Sequence, residues 1–273
     1  MEEYIKKGWM VFDFPDPSCV LKAKETLEKK LSALLGEKTT LEEYNLQDDA
    51  KHSAIQVEMT KFFREQQFDF ITPLLPQFQA ILGLDLVAQE NPFLRIARPK
   101  QKKDNIGFHR DTFYGGTPYE LSFFVPFVDL GPKNTMSVIS GSHLEPESAY
   151  VTEQKVSETI TKGSPKHQLG FMYAPKQMEA SIETQVEPVP LKLGQALVFS
   201  LPIVHGCIEN LEEVTRWSTD QRLMNAYAPI DMGERQILYK VVSRSPASIC
   251  AQKYEEANGK RCEVELGLCL SEH

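Results

Sequence analysis

Two histidines and one aspartate in this 273-residue sequence have the types and spacing of a metal site. His109 and Asp111 stand two residues apart, just before the β-rich run Leu121 to Phe127, and His205 follows the apolar run Ala196 to Ser200. Residues two apart on a strand share a face, so the first pair can point into one cavity. Two histidines and one carboxylate that leave coordination positions open form the facial triad of non-haem Fe(II) sites.

A positive charge and a hydroxyl form a second motif. Arg216-Trp217-Ser218 begins eleven residues after His205 and opens another β-rich run, which places Arg216 and Ser218 on one face. A guanidinium binds a carboxylate through two parallel hydrogen bonds, and a hydroxyl can add a third. This pair suits the distal carboxylate of 2-oxoglutarate.

Three further segments accompany these motifs in a stretch from about Asn91 to Tyr227, which is half of the chain. They are Leu94-Arg95-Ile96-Ala97-Arg98-Pro99, Ile139-Ser140-Gly141-Ser142-His143 and Leu193-Gly194-Gln195-Ala196-Leu197-Val198-Phe199. In composition and order, the segments and motifs resemble the phytanoyl-CoA dioxygenase-like branch of the Fe(II)/2-oxoglutarate-dependent dioxygenases. The chain departs from that branch at Lys133-Asn134-Thr135-Met136, where the family usually has Asn-Gly.

The resemblance implies a catalytic role for each motif residue. His109, Asp111 and His205 would bind Fe(II), and Arg216 and Ser218 would bind 2-oxoglutarate. The implied reaction uses O2 and 2-oxoglutarate as co-substrates and hydroxylates an unactivated C–H bond of a small metabolite, with an anionic metabolite as one option. Asp111 argues against halogenation, because a halide would need the coordination position that the carboxylate occupies.

Other contacts of the site have weaker sequence signals. Thr135 is our candidate for the 1-carboxylate of 2-oxoglutarate, a contact that no motif encodes. Arg98 belongs to a basic cluster just before the metal motif, which either clamps an anionic substrate or forms a solvated loop. The other members of the cluster are Arg95, Lys100, Lys102 and Lys103. Phe108, Tyr114 and Trp217 are candidates for the wall of a substrate pocket, although aromatic residues near strands often belong to the core.

Two other potential ligands receive structural interpretations. His143, in the Gly-Ser-His segment, is expected to support a turn, because a fourth protein ligand would take a position that small molecules need. Cys207 is expected to line the core as a small residue, because no His-Cys-Asp arrangement accompanies it.

The pattern of the surrounding sequence changes once, from helical to β-rich. Helical patterns cover Pro17 to Gly36 and then Asp49 to Phe63, with a continuation as far as Gly83. Short β-rich runs follow Leu86 without helices between them, which predicts an antiparallel sandwich or barrel. The family resemblance narrows this to a double-stranded β-helix, a jelly-roll or cupin-like barrel. The fold class is therefore an all-β core with flanking helices (α+β).

We expect one domain over residues 1–273. It would consist of a helical buttress at 1–85, the core at 86–230 with an insertion at 144–190, and a C-terminal extension at 231–273. Within that extension, Ser245-Pro246 is expected to start a helix that ends near Gly259, and Cys262 to Leu270 would be a short strand or docking tail.

The composition excludes several function classes. Thirty Lys and Arg against 38 Asp and Glu leave a formal net charge of −8, which argues against broad binding to nucleic acid or to a membrane surface. The longest apolar stretches are far shorter than a bilayer span, and the five cysteines form no CxxC pair. We therefore expect a cytoplasmic protein with reduced thiols and a small-molecule substrate, in an oligomeric state that the sequence leaves open.

Two other functions remain compatible with these residues. A cupin-like binding protein could use the same barrel without turnover, because a fold does not fix a function. A zinc hydrolase could also use two histidines and one carboxylate. The presence of Arg216 alongside all three metal ligands favours the oxygenase.

Overall fold

The computed structural model describes residues 1–154, 176–229 and 239–259. Its helices are α1 (Glu2–Lys7), α2 (Ser18–Leu35), α3 (Asp49–Glu65), α4 (Leu75–Leu82) and α5 (Pro246–Ala257). Its strands are β1 (Trp9–Asp13), β2 (Leu86–Gln89), β3 (Phe93–Ala97), β4 (Glu120–Pro126), β5 (Ser137–Val138), β6 (Thr152–Gln154), β7 (Lys176–Met178), β8 (Glu187–Pro188), β9 (Gln195–Ser200), β10 (His205–Gly206), β11 (Arg216–Asn225) and β12 (Tyr239–Ser243).

The main sheet has seven antiparallel strands. Their order is β1-β9-β4-β11-β2-β12, and β3 also pairs with β11. The ten-residue strand β11 pairs with β4 along one edge, and with β3 and then β2 along the other. Because β11 has neighbours on both sides, its backbone is held over its whole length.

Two smaller sheets complete the β structure of the described residues. One contains β10-β5-β8 and the other pairs β6 with β7, and all these pairs are antiparallel. The strands of the described part do not close into a barrel. The fold is thus the expected all-β, jelly-roll core of a double-stranded β-helix with flanking helices, in an open form.

The helices pack on the main sheet through aromatic side chains. The ring of Phe63 in α3 contacts Phe127 with 5.8 Å between centroids, and the ring of Phe78 in α4 lies 5.2 Å from that of Phe123 in β4. All four side chains are buried. Full burial of one such side chain contributes about 1.5–3 kcal/mol, so these contacts fix the helices against the strands that carry the site.

Capping residues mark one end of each of three helices. Helix α2 ends at Gly36, whose φ of 76° is the left-handed conformation that glycine adopts without strain. The side chain of Asp48 accepts hydrogen bonds from two backbone amides of α3, and that of Ser245 accepts one from Ser248 in α5. The predicted helix after Ser245 is therefore confirmed.

Both ends of the chain contribute strands that the sequence analysis missed. The N-terminal region is not only helical, because β1 pairs with β9 at the edge of the main sheet. In the C-terminal extension, β12 pairs with β2 at the opposite edge. As the outer strands of the sheet, β1 and β12 cover the backbone groups of β9 and β2 that would otherwise be open to other chains.

Some predictions lie outside the described residues. These include the short strand at Cys262 to Leu270 and residues 155–175 of the expected insertion at 144–190. None of the described helices combines the length and apolar character needed to cross a membrane.

Candidate metal centre

The side chains of His109, Asp111 and His205 come together in one buried cluster, although 94 residues separate the second from the third. Each offers one ligand atom, and these atoms all lie within 4.8 Å of one another. The Nε2 atom of His109 is 3.6 Å from Oδ1 of Asp111, and that of His205 is 4.0 Å from the same oxygen. The three donors therefore surround a common point.

Backbone hydrogen bonds hold the two histidines side by side. The amide of His109 donates to the carbonyl of His205 over 2.9 Å, and the amide of His205 donates back over 3.0 Å. Gly206 allows this approach, because a Cβ atom at that position would lie 2.8 Å from Cα of Phe108. The amide of Asp111 donates to the carbonyl of Leu201 over 3.1 Å, which fixes the third ligand.

Both imidazoles turn the same nitrogen toward the cluster. Nδ1 of His109 is 2.7 Å from the carbonyl oxygen of Gly107, and Nδ1 of His205 is 3.1 Å from that of Ile203. A carbonyl can only accept, so each Nδ1 carries the proton and donates it. In a ring protonated only on Nδ1, the lone pair is on Nε2, the atom that faces Asp111.

The charges of the cluster suit a cation. Burial raises the pKa of Asp111, but the guanidinium of Arg222 and the two histidines outweigh it and hold that pKa well below its usual range. Burial, and after it the charge of His109, lowers the pKa of His205 to about 4. At neutral pH the carboxylate is ionised and His205 is neutral, which are the states that metal binding requires.

A second buried group contains unpaired polar atoms. Nη1 of Arg216 donates to the carbonyl of Asn134 over 3.3 Å, and Nη2 donates to Oδ1 of Asn105 over 2.6 Å. Nε of Arg216 and Oγ of Ser218 have no hydrogen-bond partner among the described residues. A buried polar atom without a partner costs about 1–3 kcal/mol. These donors fit the distal carboxylate of 2-oxoglutarate, which would satisfy both.

The hydroxyl of Thr135 is engaged within the protein. It donates to the carbonyl of Val189 over 2.6 Å and is buried. Its remaining capacity is as an acceptor, whereas a carboxylate needs donors. The assignment of Thr135 to the 1-carboxylate stays a prediction, and this hydrogen bond weighs against it.

The guanidinium of Arg98 lies among carboxylates. Its side chain is 1% exposed, and Nε donates to Oδ2 of Asp104 over 2.7 Å. Nη1 donates to the carbonyl of Leu46 over 2.6 Å, and Nη2 donates to Oδ1 of Asp49 over 3.2 Å. These contacts correct the expectation that Arg98 is free to clamp a substrate anion, because the fold itself satisfies the guanidinium.

The aromatic candidates fall into different surroundings. Trp217 is fully buried in the main core, where its ring centroid lies 5.5 Å from that of Tyr44, which corresponds to the core interpretation. Phe108 is buried in a small cluster with Val204, next to the metal ligands. Tyr114 ends the short 3-10 helix that starts at Asp111, and its side chain lies outside the described part.

The residues given structural interpretations lie outside the metal cluster. Nε2 of His143 is 3.0 Å from the carbonyl oxygen of Ile5, next to the turn at Gly141. Cys207 packs against the main core.

Two site residues were missed in the sequence. Arg222 lies on β11 six residues after Arg216, so the period of two that groups Arg216 with Ser218 also includes it. Asn105 follows a short 3-10 turn and carries no comparable signal. Both contact residues that the motifs identified.

Comparisons with solved structures find proteins of similar fold. Solved structures similar to the chain include the apo form of the non-heme monooxygenase ThoJ, with a TM-score of 0.56, 17% identity and coverage of 95% of each chain. EvdO2 from Micromonospora carbonacea var. aurantiaca, complexed with 2-oxoglutarate, has a TM-score of 0.54 and 14% identity over 86% of this chain and 92% of that chain. The epimerase SnoN, in complex with Fe3+, alpha ketoglutarate and nogalamycin RO, has a TM-score of 0.50 and 16% identity over 85% of each. At these identities the similarity shows a shared fold.

The family is shown by the sequence itself. A search of individual curated proteins gives no match, but a comparison with family models does. The family model of phytanoyl-CoA dioxygenase matches residues 11–217, well over half of the chain. The expected cofactors, Fe(II) and 2-oxoglutarate, agree with this match and with the donor set of the cluster. The chain belongs to the phytanoyl-CoA dioxygenase family.

Proposed function

We propose that this protein is an Fe(II)- and 2-oxoglutarate-dependent oxygenase that hydroxylates an unactivated C–H bond of a small metabolite. One observation carries the proposal. A buried His-Asp-His cluster with its ligand atoms converging occurs together with a buried arginine and serine that have unpaired polar atoms. A zinc hydrolase or a passive barrel has no need of the second feature.

Each protein residue has a defined task in this function. His109 and His205 keep their protons on Nδ1 and so offer Nε2 to the metal. Asp111 supplies the negative charge, and Arg216 with Ser218 orients the distal carboxylate of 2-oxoglutarate. When bound, Fe(II) supplies the activation of O2 that is coupled to decarboxylation of 2-oxoglutarate to succinate.

Exclusion of water is a further task of the protein. The ring of Phe199 packs on that of His205 with 4.6 Å between centroids, and all three metal ligands are buried. An apolar wall lowers the local dielectric constant and so strengthens the interactions of bound charged groups. It also protects the reaction from side reactions with water.

The substrate class is proposed only in broad terms. SnoN is described with a bound nogalamycin derivative, which supports a small-molecule substrate here. A substrate anion has less support, because four of the five cations of the basic cluster are already paired with carboxylates. Lys100 lies 3.0 Å from Glu213, and Arg98 is paired as described above.

Succinate production tests the proposed reaction. The purified chain, given Fe(II), ascorbate, O2 and 2-oxoglutarate, is expected to form succinate, and under nitrogen it is expected to form none. A binding protein would form no succinate in either gas. A zinc hydrolase would be isolated with zinc and would keep its activity without O2.

Single substitutions test the metal ligands. His109→Ala, Asp111→Ala and His205→Ala should each abolish succinate formation and lower the iron content of the folded protein, because each removes one of three ligands. His143→Ala is the matched control, since that histidine lies outside the cluster, and it should retain both. Near-normal turnover by any ligand variant at saturating iron would contradict its assignment.

A further inference from the structure

Arg222 contacts the metal cluster without being one of its ligands. Its Nη2 atom lies 3.0 Å from Oδ2 of Asp111, and both side chains are largely buried, with 15% and 10% of their areas exposed. Asp111 is thus held between the two histidines on one side and a guanidinium on the other.

The two oxygens of Asp111 have different neighbours. Oδ1 is the atom that lies 3.6 Å from Nε2 of His109 and 4.0 Å from Nε2 of His205. Oδ2 is the atom in the ion pair with Arg222. The carboxylate is therefore oriented so that Oδ1 faces the two histidines, while Oδ2 is held in the ion pair with Arg222.

The surroundings keep Arg222 charged and in place. Burial lowers its pKa, but Asp111 and then Glu120 and Tyr239 outweigh this effect and raise that pKa above its usual value. The hydroxyl of Tyr239 in β12 donates to Glu120 at the start of β4. The guanidinium thus belongs to a buried charged group that connects strand β12 with the metal ligand.

We propose that Arg222 is a positioning residue that restricts Asp111 to a single metal bond, through Oδ1. This inference rests on the proposed function. A carboxylate with both oxygens free can chelate a metal and take two coordination positions. The ion pair on Oδ2 prevents this and keeps a position open for 2-oxoglutarate, which itself needs two.

Arg222→Met is the variant that tests this role. Anaerobic titrations of Fe(II), and then of 2-oxoglutarate into the iron-loaded protein, follow the charge-transfer absorption band of the chelated co-substrate. We expect the variant to bind Fe(II) no more weakly than the parent, because a competing positive charge is gone. Its affinity for 2-oxoglutarate should fall about 10- to 100-fold, a loss of the same size as such partners of metal ligands cause in metal affinity or activity.

Arg95→Met is the matched control. Arg95 in β3 forms an ion pair of 2.8 Å with Asp220 in β11, and Asp220 is not a metal ligand. This variant should lose some stability and keep both affinities. Arg222→Lys keeps the charge on a side chain one bond shorter, so it should recover part of the affinity for 2-oxoglutarate.

The outcomes separate this inference from the proposed function. If the parent protein gives no band with Fe(II) and 2-oxoglutarate, the proposed function and this inference both fail. If the parent gives the band and Arg222→Met binds 2-oxoglutarate as the parent does, only the inference fails. Weaker Fe(II) binding with an unchanged affinity for 2-oxoglutarate would also overturn it. If Arg222→Met does not fold, Arg222→Gln is used in its place. The glutamine side chain is two bonds shorter than that of arginine, so its amide does not reach Oδ2 of Asp111.

Discussion

Arg98 and Arg216 are both almost fully buried, with 1% and 3% of their areas exposed, yet their partners differ in kind. Arg98 has two carboxylates and a carbonyl around its guanidinium. Arg216 has only an amide oxygen and a carbonyl, and its Nε atom has no partner in the described part of the chain. Among the described residues, carboxylates pair with the positive charge of Arg98 and none pairs with that of Arg216.

The difference indicates which arginine serves a ligand. A buried charge is stable only when it is paired and hydrogen-bonded. Arg98 meets that condition through Asp104 and Asp49, and its cluster also contains His52, which lies 3.9 Å from Asp104. Arg216 would meet it with an anion bound, which supports the proposed contact with 2-oxoglutarate. Burial alone does not separate a structural arginine from a binding one, but the charge balance around it does.

Removal of Arg98 should have the largest effect, on stability. Arg98→Met leaves the buried carboxylate of Asp104 without its partner, and loss of one member of a buried pair costs about 3–5 kcal/mol. Chemical denaturation measures the change in the free energy of unfolding. The affinity of the folded protein for 2-oxoglutarate should change far less than in an Arg216 variant.

A double variant sharpens this result. Asp104 also accepts a hydrogen bond from the backbone amide of residue 98 over 3.0 Å. Arg98→Met combined with Asp104→Asn removes the stranded charge and keeps an oxygen for that amide, so it should be more stable than Arg98→Met alone. A double variant no more stable than the single one would show that the stranded charge is not the cause of the loss.

Removal of Arg216 should act on affinity instead. Truncation of one partner of a buried charge pair costs about 2–5 kcal/mol, or about 30- to several-thousand-fold in affinity. Arg216→Ala should weaken 2-oxoglutarate binding by at least that lower limit while Fe(II) binding is largely kept. Arg216→Lys should recover only part, because an ammonium lacks the bidentate fork.

Anaerobic titration of 2-oxoglutarate into the iron-loaded protein measures this effect through the same absorption band. If folded Arg216→Ala protein bound 2-oxoglutarate as tightly as the parent does, the assignment of Arg216 to the distal carboxylate would be wrong. It would also remove the contrast with Arg98.

The sequence predicted the parts of the molecule that repeat with a strand's period or a motif's spacing. His109 with Asp111, and Arg216 with Ser218, are pairs two residues apart, and the structure buries both pairs. The same period extends to Arg222, so its position on that face of β11 could have been predicted. Its contact with Asp111 could not, because no local pattern fixes the distance between separate segments.

Other features depend on contacts that no sequence pattern encodes. Arg98 is neutralised by Asp104, six residues away, and also by Asp49 from α3. The sequence shows Arg98 among other basic residues, and that pattern does not indicate either acidic partner. Strand β1 has five residues and lies between two helices, so it lacks a series of neighbouring strand signals. Its partner β9 is far away in the chain, and only the folded sheet brings them together.

Asn105 offers the smallest effect and the finest test of the contrast. Its Oδ1 atom accepts from Nη2 of Arg216, so it orients the guanidinium while leaving the charge unbalanced. Asn105→Ala removes one hydrogen bond, which is worth about 1 kcal/mol, and should therefore weaken 2-oxoglutarate binding about fivefold. Asn134→Ala is the matched control, because Asn134 contacts Arg216 through its backbone carbonyl, which the substitution keeps. Equal affinities in these two variants, measured by the same titration, would mean that the guanidinium is held by the backbone alone and that Asn105 has no part in the co-substrate site.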